Sequence, residues 1–208
     1  MQFQCPSAFP KAFTQGHYFT EGGKAGIRAD SGMGLVQKWD VPEAEFGFIS
    51  NQNAEPTAFF LCYDMSSRSI EGGSPLLLPH AKIYKNCCGI SRWITIPECP
   101  FDFWKTLELE LTVTRGDEVV FGGNQTTKLL RRSLQELANH VYRMGPWNEA
   151  VYVTTGTNIV PKSGDTFTLE KGDKLLTKSA QLGTFSATVD EVDWPVERHF
   201  KPNSLKNS

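Results

Sequence analysis

The sequence predicts a predominantly β domain with one substantial α-helix, and three observations carry that prediction. Between positions 107 and 114, Leu107, Leu109, Leu111 and Val113 alternate with Glu108, Glu110, Thr112 and Thr114, the period of a strand with one buried face. The clear helical period spans residues 127–143, where Leu130, Leu134, Leu137 and Val141 recur at i, i+4, i+7 and i+11. Gly- and Pro-bearing turn signals punctuate the rest of the chain. At 208 residues it is long enough to fill one core, so residues 1–194 are expected as a single domain followed by a polar, frayed tail over 195–208.

Taken in order, the segment VPEAEFGFIS around Glu43 and Glu45 reads as a strand, and the polar, Pro-bearing residues 51–56 read as a loop. Residues 57–63 then form a second strand that ends at Asp64. Phe101, Phe103 and Trp104 lie beside a turn and suit either core or interface. The alternating strand at 107–114 turns through Arg115-Gly116-Asp117 into residues 118–121, a hairpin. The helix over 127–143 is stopped by Gly145-Pro146, and the apolar run 150–153 leads into Thr155-Gly156-Thr157. Gly164-Asp165 and Gly172-Asp173 bracket an expected strand at 166–169, and residues 183–189 supply another.

Composition excludes several classes. A formal charge of −2 leaves no strong electrostatic partner preference, so no nucleic-acid partner is expected. No run reaches the roughly 18 apolar residues of a membrane span. The opening MQFQCPSAFPKAF lacks the cationic start and apolar core of an export signal, so a cytoplasmic location with no membrane contact is expected. Five cysteines, an odd number with Cys87 and Cys88 adjacent, fit reduced and mostly buried thiols better than a disulfide framework. The Asn124-Gln125-Thr126 sequon carries little meaning in such a setting.

The candidate chemistry begins with Glu43, Glu45 and Asp64. In a strand, glutamates at i and i+2 point to the same face, and an adjacent strand ending at Asp64 could add a third carboxylate. Three such oxygen donors suit Mg²⁺, with Mn²⁺ or Ca²⁺ as alternatives, and leave coordination positions for a chelating substrate. Taken alone, the two glutamates also fit a solvated strand face.

Further motifs add to this. SSRSIEGGSPLLLPHAKIYKNCCGISRWI, with IRADS at 27–31, PEAE at 42–45 and VYVTTGTNIVP at 151–161, resembles the fumarylacetoacetate hydrolase superfamily, nearest its 2-keto-3-deoxy sugar-acid dehydratase branch. The motifs occur in the family's order and cover roughly residues 10–173. The resemblance implies the family's mixed β-roll, a basket of strands around the metal, and a homodimer. It implies Glu43, Glu45 and Asp64 as metal ligands and Lys82 as the active-site lysine. Thr155, Gly156 and Thr157 would receive a substrate carboxylate, through backbone N–H groups and hydroxyls, and Arg68 would bind the same charge. The substrate would be a 2-oxo acid or a β-dicarbonyl, which the metal activates by stabilising an enolate while Lys82 removes a proton. A lyase, specifically a dehydratase, is the expected outcome. A C–C hydrolase, a decarboxylase, an isomerase or a binding protein that lost turnover are the alternatives. His80, two residues before Lys82, is a candidate acid or a structural hydrogen-bonding group, and His17, near Glu21 in a Gly-bounded segment, is either a lid residue or a surface one. The chain departs from the family at Tyr63, where Asn is usual, and at His80, where Gln is usual. Longer members carry an N-terminal domain, whereas this chain is expected to start almost at the catalytic region.

Overall fold

Two twisted sheets packed face to face form the body of the protein. The computed structural model describes residues 2–4, 18–28, 39–143, 147–162 and 165–192. In chain order the elements begin with β1 (Gln2–Gln4), β2 (Tyr18–Phe19), β3 (Gly23–Arg28), β4 (Asp40–Ser50) and β5 (Pro56–Ser67). Short helices α1 (Arg68–Glu71) and α2 (Leu78–Lys82) follow, then β6 (Cys88–Ile90), α3 (Pro100–Trp104), β7 (Glu108–Arg115) and β8 (Glu118–Thr126). The chain continues with α4 (Leu134–Tyr142), β9 (Val151–Thr154), β10 (Lys174–Ser179) and β11 (Gly183–Val192). One sheet has the order β1-β9-β4-β5-β6-β2 and the other β3-β11-β10-β7-β8. Parallel pairs β1/β9, β2/β6 and β3/β11 sit among antiparallel ones, so both sheets are mixed. The expectation of a predominantly β fold holds.

The core follows from the period of two. Ala44, Phe46 and Phe48 of β4 and Phe59, Leu61, Tyr63 and Met65 of β5 meet Leu109, Leu111, Val113, Leu175, Phe185 and Val189 of the second sheet in one buried cluster. Burying each such large side chain is worth roughly 1.5–3 kcal/mol. Trp104 of α3 joins them, its ring centroid 5.9 Å from Phe46 and 5.7 Å from Phe59, while Phe101 remains exposed. The segment around Trp104 thus divides between core and surface.

The hairpin of β4 and β5 is closed by the polar loop the sequence predicts. The Asn51 side-chain oxygen accepts from the N–H groups of Asn53 and Glu55 at 2.9 and 3.0 Å, and Ala54 takes a left-handed φ of 62°. This Asx geometry sets the register that places Glu43 opposite Asp64. Rather than ending at Asp64, β5 runs on to Ser67.

Two other expectations are corrected. The helix expected from residue 127 begins at Leu134: residues Thr127–Leu129 form a 3₁₀ turn and Leu130 is extended. A capping box decides the start, with the Ser133 hydroxyl accepting from the Glu136 N–H and the Glu136 carboxylate accepting from the Ser133 N–H. No strand forms at 166–169. That stretch is held instead by Leu169 N–H donating to Asp40 O at 2.9 Å and by Arg115 donating to Thr168 O at 2.9 Å. The ladder position between β7 and β11 belongs to β10, a strand that the sequence pattern does not predict. The polar tail expected over 195–208 lies outside the described residues.

Candidate metal centre

Glu43 and Glu45 share the face of β4 that points away from the inter-sheet core, as their spacing predicts. Across the hairpin, Glu43 pairs with Asp64 and Glu45 with Cys62. The three carboxyl groups are buried, at 4%, 0% and 0% exposure, and each offers an oxygen within 4.8 Å of the others. Like charges directly opposite on paired strands destabilise a sheet, and buried charges need partners, so the cluster persists only with cations beside it.

Lys82 supplies one such cation. It ends α2, is 1% exposed, and its ammonium donates to Glu43 Oε2 at 2.6 Å and Asp64 Oδ2 at 3.0 Å. The chain returns to the strands so quickly because β5 leads straight into α1, and the 3₁₀ turn Pro75–Leu77, capped by the Ser74 hydroxyl accepting from Leu76 N–H, feeds α2. Arg68, the first residue of α1, donates to Glu43 Oε1 at 2.8 Å and lies 3.5 Å from Glu71. Glu43 is therefore bracketed by both cations.

The turn after β9 reaches the same cluster. Gly156 N–H donates to Glu45 Oε2 at 2.8 Å, and Gly156 takes a φ of +82° that favours glycine. The Thr155 hydroxyl donates to Phe46 O at 3.0 Å, and the Thr157 hydroxyl donates to Gln125 Oε1 at 2.9 Å. Gln125 was not singled out from the sequence as a site residue. Its one visible signal is a buried amide opposite Leu109 on an otherwise half-exposed strand, which needs the pairing of β7 and β8 to be recognised.

His80 is half-buried in α2, two residues before Lys82, a spacing at which helical side chains do not face one another. His17 lies outside the described residues. Glu21, its expected neighbour, is held by β11, accepting from both the N–H and the hydroxyl of Ser186. Tyr63 points to the opposite face from Asp64. Its hydroxyl donates to Phe185 O at 2.9 Å and accepts from Thr177 at 2.9 Å, and its ring stacks on Phe185 with centroids 4.6 Å apart. Burial holds its phenol well above the ordinary tyrosine range, so it stays neutral. The exchange of Asn for Tyr here alters the inter-sheet core and leaves the carboxylate face intact.

Three converging carboxylates are a hard, all-oxygen donor set, the chemistry that fits Mg²⁺ and the similar dications Mn²⁺ and Ca²⁺. No protein-family model matches the chain. It is 35% identical over 187 residues to a Haloferax volcanii protein described as "Probable 2-keto-3-deoxyxylonate dehydratase", covering 90% of this chain and 61% of that one. It is 31% identical over 157 residues to the 2-dehydro-3-deoxy-D-arabinonate dehydratase of Saccharolobus solfataricus, covering 75% of this chain and 50% of the relative. A solved 2-keto-3-deoxy-D-arabinonate dehydratase, complexed with magnesium and 2,5-dioxopentanoate, superposes with a TM-score of 0.75 at 27% identity, over 86% of this chain and 60% of that one. The chain thus spans less than two thirds of the length of these relatives. In sequence and fold the chain is similar to these sugar-acid dehydratases.

Proposed function

We propose that this chain carries the Mg²⁺-dependent centre of a lyase that removes water from a 2-keto-3-deoxy sugar acid. The observation that carries the proposal is the convergence of three buried carboxylates with the Lys82 nitrogen within 3.0 Å of two of them. Dehydrations named for two relatives and a solved neighbour support the reaction class. Glu43, Glu45 and Asp64 would hold the cation. Bound there, Mg²⁺ supplies Lewis-acid stabilisation of the negative charge that develops on a 2-oxo acid when the proton beside its carbonyl leaves.

The remaining work falls to the protein. With its amine in the neutral form, Lys82 would take that proton from the carbon next to the carbonyl and return it to the hydroxyl on the following carbon, which departs as water. Arg68 and the turn at residues 155–157 orient the substrate carboxylate, so that only one carbon faces the lysine. Burial of the cluster keeps bulk water from competing for the same charges.

The test is turnover of 2-keto-3-deoxypentonates in the presence of Mg²⁺. Lys82→Met should lower it by about 10²-fold or more, the usual scale for a positioned base, while Mn²⁺ still binds. Full activity in Lys82→Met would remove the lysine from the mechanism, and absence of any Mg²⁺-dependent turnover by the wild type would overturn the reading.

A further inference from the structure

We infer that Gln125, reaching across from the second sheet, is a positioning residue that sets the direction of the Thr157 N–H and so the fit of a substrate carboxylate at the turn. The inference rests on the proposed role of that turn. Gln125 sits on β8 opposite Leu109, which directs its side chain inward, and it is 2% exposed. Burying an amide there is unfavourable unless its hydrogen bonds are made, and those it makes all go to one place. Its Nε2 donates to Gly156 O at 3.1 Å, and its Oε1 accepts from the Thr157 hydroxyl at 2.9 Å and from Asn158 N–H at 3.1 Å.

The consequence lies in one peptide plane. Gly156 C=O and Thr157 N–H belong to the same trans peptide and point in opposite directions. By holding that carbonyl, Gln125 Nε2 turns the Thr157 N–H away from itself. The other donors of the turn are engaged inside the protein: Gly156 N–H by Glu45, the Thr155 hydroxyl by Phe46 O, and the Thr157 hydroxyl by Gln125. The Thr157 hydroxyl also accepts from Ile159 N–H at 3.0 Å. Among the hydrogen bonds of the described residues, the Thr157 N–H donates to none, so it is the backbone donor left to meet an anion. Gly156, with its left-handed φ, would otherwise let this peptide rotate.

The probe is oxalate, a dianion that chelates a dication and presents a carboxylate, with Mn²⁺ as the reporter ion. In Gln125→Leu the Mn²⁺ dissociation constant should stay within about twofold of wild type, while that of oxalate rises about tenfold, equivalent to about 1.4 kcal/mol. Gln125→Glu keeps both acceptor contacts but loses the donor to Gly156 O, so it should weaken oxalate similarly. It carries the test if the leucine variant does not fold. Wild type that binds oxalate with Mn²⁺ while Gln125→Glu binds it equally well overturns the role of Gln125 alone. Parallel losses of Mn²⁺ and oxalate affinity would reduce Gln125 to general support of the fold and also overturn it. Wild type that shows no Mn²⁺-dependent oxalate binding overturns the reading of the site itself, and this inference with it.

Discussion

Lys82→Met removes the ammonium that donates to both Glu43 and Asp64, and leaves a side chain of similar length at a position only 1% exposed. Removing one partner from a buried ion pair leaves uncompensated charge and typically costs about 3–5 kcal/mol. Arg68 still donates to Glu43 Oε1 at 2.8 Å, but its side chain is 28% exposed and solvent screens part of its effect. The lower end of the range therefore applies, about 3 kcal/mol. For a chain of this size each kcal/mol moves the melting temperature by about 2–4 °C, so the variant should melt about 6–12 °C below wild type in EDTA. Excess MgCl₂ places two positive charges among the same oxygens and should stabilise the variant more than wild type, whose ammonium already shares those carboxylates, closing most of that gap. The assay is paired thermal unfolding of both proteins in EDTA and in MgCl₂. A variant as stable as wild type in EDTA, or a deficit that Mg²⁺ leaves unchanged, would refute the claim that Lys82 and a cation neutralise the same carboxylates.

Other outcomes follow from single contacts. Oxalate or pyruvate at about a hundred times its dissociation constant should add roughly 2.7 kcal/mol of stability. The shift should require Mg²⁺ or Mn²⁺ and vanish in Glu45→Gln, so a shift indifferent to EDTA would count against chelation. Tyr63→Phe strips Phe185 O and the Thr177 hydroxyl of a buried partner and should lower stability by about 1–3 kcal/mol. Because Tyr63 faces the inter-sheet core, calorimetry should find Mn²⁺ affinity unaltered in that variant. Glu136 is held below the ordinary carboxyl range, first by the Ser133 N–H and then by its hydroxyl. A depressed carboxyl contributes stability above its unfolded pKa and loses it as pH falls through the folded one. The melting difference between wild type and Glu136→Gln should therefore be present at neutral pH and disappear in acid.

The sequence by itself determined the features that depend on local backbone geometry. A period of two put Glu43 and Glu45 on one strand face, and the alternation at 107–114 made β7 and its hairpin legible. The ordered motifs around Asp64, Lys82 and the turn at 155–157 pointed to the sugar-acid dehydratases to which the chain is similar. Helix α4 was readable in its interior but not at its start, because a heptad-like run of leucines says nothing about Ser133, whose side chain competes for the first free N–H groups. Strand β10 and the non-strand at 166–169 were decided by neighbours: β10 is hydrogen-bonded between β7 and β11, and residues 166–169 have no place in that ladder. The site shows the same division. Residue types named the donors, but tertiary structure set Glu43 opposite Asp64, brought Lys82 within 2.6 Å of Glu43 across 39 positions, and carried Gln125 from the second sheet to a turn 31 residues further on. Periodicity is written in adjacent residues, whereas which buried charges and amides find each other depends on how two sheets close around a shared core.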